Sequence, residues 1–159
     1  TGDLSYKGFD LNLFIYWNHG NEIFNTVKAF TETPYEQTNM VSYMLEDAWR
    51  PDNTSATIAQ LGGDRQNNYA RASDAYIENG SFLRFKNISL GYTLPNNVSK
   101  KIGIQKLRFY AALQNYFTIT KYSGRDPELG STWGVFVQKA DLGNYTIPKT
   151  MNFGINATF

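Results

Sequence analysis

The sequence predicts an all-β chain of antiparallel strands forming part of a membrane barrel wall, and three observations carry that prediction. The first is the closing segment, Lys149 to Phe159. Met151, Phe153, Ile155, Ala157 and Phe159 share one parity, and Thr150, Asn152, Gly154, Asn156 and Thr158 share the other. That alternation, apolar on one face and small and uncharged on the other, is a strand signature. A run of about 9–11 such residues crosses a bilayer in a tilted barrel. The second is composition. Aromatics make up 16% of the 159 residues, yet charged residues are only 18% and mean hydropathy is −0.44. Rings must therefore sit among Asn, Thr, Ser and Gly rather than in solid apolar blocks. The third is the spacing of the strand-like segments, which are joined by a long, a short and a long connection.

Each strand can be justified in order. Residues 8–17 form the first, with Phe9, Leu11, Leu13, Ile15 and Trp17 on one face and Asp10, Asn12, Phe14 and Tyr16 on the other. An Asp cannot face lipid, so Asp10 and Asn12 are expected to face a lumen. Trp17 stands where an interfacial aromatic belongs. Residues 18–80 are long, polar and irregular, with one expected helix. Thr33-Pro34-Tyr35-Glu36 has the form of a capping box with Pro at the first helical position, and Met40, Val41, Met44, Leu45 and Ala48 then share a helical face. Arg50-Pro51 stops it. The run containing Asn53, Gly62-Gly63, Asn67-Asn68 and Arg71 reads as loop.

Residues 81–94 form the second strand, with Ile88, Leu90, Tyr92 and Leu94 opposed to Asn87, Ser89, Gly91 and Thr93. Arg84 and Lys86 share the parity of Ile88, so either they lie beyond the lipid tails or a bulge changes the register. Pro95 to Gln105 is a short turn, with one helical turn at Ser99-Lys100-Lys101. Residues 106–118 form the third strand, with Leu107, Phe109, Ala111 and Leu113 outward against Arg108, Tyr110, Ala112 and Gln114. Its pattern falters at Asn115, where a bulge or emergence from the bilayer is expected. Residues 119–148 are a second long loop, and 149–159 the fourth strand. Both long loops then lie at one end of the strands and the short turn at the other, the sidedness of an outer-membrane barrel. The lumen-facing set is Asp10, Asn12, Asn87, Ser89, Gln114, Asn152 and Asn156.

Composition excludes several functions. A net charge of +1 offers no bulk field for nucleic acid. The absence of Cys removes disulfides, thiolate metal sites and cysteine nucleophiles. No apolar run approaches the ~20 residues of a membrane helix. The first residues, T-G-D-L-S-Y-K-G, carry no signal-peptide pattern and no initiator Met, which fits a fragment or a processed product.

Several stretches, taken in order, resemble the C-terminal end of the SusC/RagA family of TonB-dependent outer-membrane transporters. They are Asp3 to Leu11 (DLSYKGFDL), Gly20 to Asn25 (GNEIFN), Asn79 to Pro95 (NGSFLRFKNISLGYTLP), Gln114 to Glu128 (QNYFTITKYSGRDPE), and Tyr145-Thr146-Ile147-Pro148 followed by Phe153-Gly154-Ile155-Asn156 and Phe159. The resemblance implies the last four strands of a 22-stranded barrel, with two extracellular loops, one carrying a short helix. The plug domain and the remaining strands fall outside this chain. It implies import of oligosaccharides or peptides across the outer membrane of a Bacteroidota-type bacterium, with a SusD-like surface lipoprotein as lid and TonB acting through the plug. It also implies that Phe153, Ile155 and Phe159 form the terminal signal read by the barrel-assembly machinery.

The candidate contacts with substrate or lid are Trp49, Tyr122, Trp133 and Tyr145, whose flat apolar faces suit sugar rings or a partner surface. Asp126-Pro127-Glu128 has two acids diverging about a Pro with no partner cluster, so a structural turn outweighs acid–base or metal chemistry. His19 is the only His, which leaves no histidine metal site, and it reads as a loop residue. Asn53-Thr54-Ser55 matches a glycosylation acceptor by chance in an Asn/Thr-rich chain. No catalytic residues, metal or cofactor are expected, and the chain is read as non-enzymatic. A secreted, soluble, carbohydrate-binding β-sandwich is the alternative, in which the apolar faces would pack against a second sheet.

Overall fold

A computed structural model describes residues 1–33, 39–61, 73–128 and 139–159. Numbered along the chain, the strands are β1 Gly2–Tyr6, β2 Phe9–Asn18, β3 Glu22–Asn25, β4 Ile77–Asn79, β5 Phe82–Thr93, β6 Lys106–Thr120, β7 Ala140–Asp141 and β8 Thr150–Thr158. The α-helices are α1 Thr26–Thr31, α2 Tyr43–Asp47 and α3 Asn96–Ser99. The chain divides into two compact units. The first holds residues 1–20, 81–121 and 146–159, and the second holds 21–80 and 122–145.

The first unit is one five-stranded antiparallel sheet in the order β1-β2-β5-β6-β8. The expected four-strand segment is thus one strand short, because Gly2–Tyr6 pairs along β2 from Gly2↔Leu13 to Tyr6↔Phe9. The hairpin between them is a two-residue turn, with Lys7 at φ 47° and Gly8 at φ 90°. Two successive positive φ values match the right-handed twist of the flanking strands, and Gly8 adopts one without a Cβ penalty. No second sheet covers this one among the described residues of the unit.

The parity conflict in β5 is resolved by a bulge. Phe14↔Asn87 is followed by Ile15↔Phe85, so Lys86 is an extra residue opposite β2. On the other side Asn87↔Gln114 is followed by Phe85↔Phe117, which leaves Asn115 and Tyr116 outside the ladder. Asn115 takes the left-handed conformation, φ 52°, as a short polar side chain permits. The shift moves Leu83 and Phe85 into the rows of Trp17 and Ile15. Arg84 moves into the row of Tyr16 and Thr118, and its Nε donates to Thr118 Oγ1 at 2.9 Å. The strand past Asn115 does not stop but continues to Thr120. The short connection holds α3 and a 3-10 turn at Lys100–Ile102, closed by Gly103.

The second unit is built on β3, which pairs antiparallel with β4 and parallel with β7. Asn25 ends β3 and caps α1, its Oδ1 accepting the Lys28 N–H at 2.9 Å. Ile23, Met44, Ala48 and Tyr76 are buried, and Phe24 meets Tyr76 edge-on at 6.2 Å. The expected helix is shorter than its apolar periodicity suggests. It runs only over Tyr43–Asp47, after Ser42, with no side-chain cap. Pro34, Tyr35 and Glu36 of the expected capping box, and Gly62-Gly63, Asn67-Asn68 and Arg71, lie outside the described residues.

Candidate functional site

The register of the first unit sorts its side chains into two unlike faces. On one, Leu4, Leu11, Leu90, Ala111 and Phe153 form a row across all five strands. Tyr6, Phe9, Tyr92, Phe109 and Ile155 form the next, with the Phe9 and Tyr92 rings 4.5 Å apart. Leu13, Ile88, Leu113 and Met151 form a third. This face is uncovered: Phe153 is 74% exposed, Ile155 63%, Leu4 68% and Trp17 68%. A continuous apolar surface of this kind marks contact with a partner or a membrane.

The opposite face is polar and internally bonded. Asp10, Asn12, Asn87, Ser89, Gln114, Asn152 and Asn156 share it, as register pairs Asn12↔Ser89, Asn87↔Gln114, Ala112↔Asn152 and Arg108↔Asn156 show. Asn87 Nδ2 donates to Asn12 Oδ1 at 2.7 Å, and Asn12 Nδ2 donates to Asp3 Oδ1 at 2.6 Å, a relay over β5, β2 and β1. Thr150 Oγ1 donates to Gln114 Oε1 at 3.2 Å between β8 and β6. Arg108 forms a two-pronged ion pair with Asp10, with Nε to Oδ1 at 2.9 Å and Nη2 to Oδ2. The guanidinium crosses β5 at Gly91, where any Cβ would overlap it, and Tyr110 lies over Gly154 in the same way. Alternation placed Arg108 on this face but did not single it out. The usable signal was two opposite charges at the same height on one polar face.

The terminal set lies on or beyond the apolar face. Phe153 pairs with Ala111 and Ile155 with Phe109, and Phe159 is 82% exposed. The described candidate contact residues stand in different settings. Trp49 is partly exposed, and its backbone N–H donates to the Ile58 carbonyl at 2.8 Å. Tyr145 is 93% exposed. Tyr122 offers no ring face to a ligand: it is buried, and its hydroxyl donates to buried Asp141 Oδ2 at 2.7 Å, so it pins a loop. Burial and that bond push the Tyr122 phenol far above its ordinary range. Trp133 lies outside the described residues. Asp126 Oδ1 accepts the Glu128 N–H at 2.9 Å, a local turn. His19 is exposed and stacks near Trp17, and Asn53 Nδ2 donates to the Ala48 carbonyl at 3.3 Å. No cluster of three metal-ligating side chains occurs among the described residues.

In the second unit, Glu78 gathers donors. It accepts from Ser123 N–H at 2.9 Å, Ser123 Oγ at 2.7 Å and Asn25 Nδ2 at 3.1 Å, with Lys28 Nζ at 3.7 Å. Burial pushes its carboxyl up, but the Ser123 and Asn25 hydrogen bonds and the Lys28 charge outweigh burial and hold it below its ordinary value.

An antiparallel sheet with one exposed apolar face and one bonded polar face fits the class of outer-membrane β-barrel walls. No protein-family model matches the chain. It is 33% identical, over its whole length, to TonB-dependent receptor P3 of Formosa agariphila. It is 34% identical over 82% of its length to TonB-dependent receptor SusC of Bacteroides thetaiotaomicron. The RagAB peptide importer superposes in its open-open and closed-closed states alike, with TM-score 0.81 and 32% identity over 98% of this chain. The chain belongs to the SusC/RagA family of TonB-dependent receptors. It spans 16% of the length of receptor P3 and 12% of SusC.

Proposed function

We propose that the chain forms the last strands of a 22-stranded outer-membrane barrel that imports oligosaccharides or peptides. The observation that carries this reading is the sheet's two-facedness. Its apolar rows suit lipid, and its bonded polar rows suit a water-filled lumen or a plug. β1 and β8 are open edges within the chain. In lipid, unpaired edge N–H and C=O groups cost several kcal/mol each, so neighbouring barrel strands pair with both. The long connections leave from β2 and β6 and return at β5 and β8, all at one end of the sheet, which is the extracellular end. A SusD-like lipoprotein lids that end, and TonB acts on the plug carried elsewhere in the receptor. Phe153, Ile155 and Phe159 act as the assembly signal. Asp10, Asn12, Asn87, Ser89, Gln114, Asn152 and Asn156 line the lumen, and Trp49, Trp133 and Tyr145 are the loop aromatics left to meet substrate or lid.

Extraction from the source membrane tests this. The parent protein should leave the membrane only with detergent, as a particle several times the 18.1 kDa of this chain. Detergent-free release of a soluble monomer would contradict it and favour the β-sandwich reading.

A further inference from the structure

The second unit contains a cleft of about 890 Å³, bordered by Lys28, Tyr43, Glu78, Ser123, Arg125 and Asp141 among others. Its charges are not equivalent. Glu78 is occupied by Ser123, Asn25 and Lys28. Asp141 is occupied by the Tyr122 hydroxyl through Oδ2 and by the Gly143 N–H, at 2.9 Å, through Oδ1. Lys28 lies between Glu78 and Glu32 and reaches the Ala75 carbonyl at 3.4 Å. The Tyr43 hydroxyl donates to Glu32. Arg125 differs. It is exposed and has neither an ion pair nor a hydrogen bond among the described residues.

The segment carrying Arg125 is held on both sides. Tyr122 is anchored to Asp141, and Ser123 is bonded to Glu78 through backbone and hydroxyl. Tyr122 packs over Gly124 so closely that any Cβ there would overlap its ring. Asp126 and Pro127 are buried, and Asp126 closes a turn onto Glu128. Arg125 is the side chain this fixed strip turns outward at the cleft. An exposed guanidinium rooted in an anchored backbone, with no carboxylate of the described residues paired to it, is available to an incoming carboxylate, which it binds in a two-pronged geometry.

We propose that this cleft is a subsite for a carboxylate on the imported ligand, with Arg125 as its anchor. The inference rests on the uptake reading and deepens it. The carboxylate comes either from a peptide, as terminus or acidic side chain, or from a uronic acid in an oligosaccharide.

The test uses the full-length receptor with the chains that co-purify with it. Four labelled probes are titrated: an acidic peptide with a free terminus, its amidated Gln/Asn analogue, an oligo-uronate, and a neutral oligosaccharide of equal length. Arg125→Gln should weaken one acidic probe about tenfold, the scale of one lost charge-assisted bond, and leave the neutral probes unchanged. Arg125→Lys should recover part of the loss. The acidic probe that responds names the source. Equal weakening of acidic and neutral probes, no change in either acidic probe, or a wild-type receptor that binds neither acid would overturn the proposal. Import of the same probes by cells with and without the receptor separates the two levels. Receptor-independent import of all four defeats the uptake reading. Receptor-dependent import with no charge discrimination by Arg125→Gln defeats the subsite alone.

Discussion

Arg108 on β6 reaches over Gly91 on β5 to grip Asp10 on β2 with both prongs of its guanidinium. The pair ties three strands at a point where backbone ladders connect only neighbours. It exists because one position between the charges has no side chain.

Gly91→Val should therefore act as a break in the Asp10–Arg108 pair, while leaving every ladder residue in place. Its cost should exceed that of Asp10→Asn. A double-mutant cycle on Asp10→Asn and Arg108→Gln should give a coupling of about 1 kcal/mol or less, because both groups are partly exposed. Thermal unfolding of the folded barrel, read as a gel-mobility shift, checks both. A Gly91→Val barrel as stable as wild type would remove the close-approach argument.

The two faces should respond oppositely to charge. Ile155→Lys places an ammonium in the apolar row of Tyr6, Phe9, Tyr92 and Phe109, toward the short-turn end of the sheet, and should cost about 1–2 kcal/mol, between the interfacial and midplane values for a lipid-facing Lys. Asn156→Lys, one residue on and facing the other way, should cost well under ~1 kcal/mol, as on a wetted surface. The measurement is the yield and unfolding midpoint of each barrel in outer-membrane preparations. Similar losses in both would overturn the face assignment.

Tyr122→Phe keeps the ring's packing but leaves buried Asp141 Oδ2 without its donor. It should destabilise the second unit by about 1–3 kcal/mol, the cost of an unmet buried acceptor. Hydrogen exchange at residues 139–145 reports it, and unchanged protection would contradict the pin.

Glu78 makes docking of the Ser123 segment depend on pH. Its folded carboxyl lies below the ordinary value of 4.5, so the stabilisation is fully present above that value. It is lost as pH falls through the lowered folded value. Protection of the Ser123 amide should hold from neutral pH down to the ordinary carboxylate range and decline below it, and Glu78→Gln should flatten that profile. A wild-type decline beginning well above the carboxylate range would assign it to another group.

Much of the sheet was legible because its physics is local. In β8 every second residue is apolar over the whole strand, and Asp10 lies on the polar face to which alternation assigns it. The slips at Lys86 and Asn115 showed as breaks of parity, and the bulge lies at both. β1 was missed because Gly2–Tyr6 has only two apolar residues, Leu4 and Tyr6. Lys7-Gly8 between Tyr6 and Phe9 was the available hairpin signal. Apart from its short helix, with Met44 and Ala48 on the buried side, the second unit was not legible. Its β3–β7 pairing joins Phe24 to Ala140, and no local pattern encodes a contact across that length of chain. Arg125 as an outward cation, and Tyr122 as a buried pin, follow only from the segment's anchoring at Glu78 and Asp141.

The central claim, that this sheet is a barrel wall with lipid on one side and water on the other, is tested most directly by a cysteine scan of β8. Single cysteines are placed from Met151 to Ala157 in a cysteine-free full-length receptor, in native outer membranes, and labelled with a water-soluble maleimide and with a lipid-dissolved quencher. Positions 152 and 156 should label from water, and 151, 153, 155 and 157 should be reached only from lipid, alternating with period two; position 154 is left as Gly because a Cβ there would overlap the Tyr110 ring. Uniform labelling from water, or lipid access on both parities, would contradict the account.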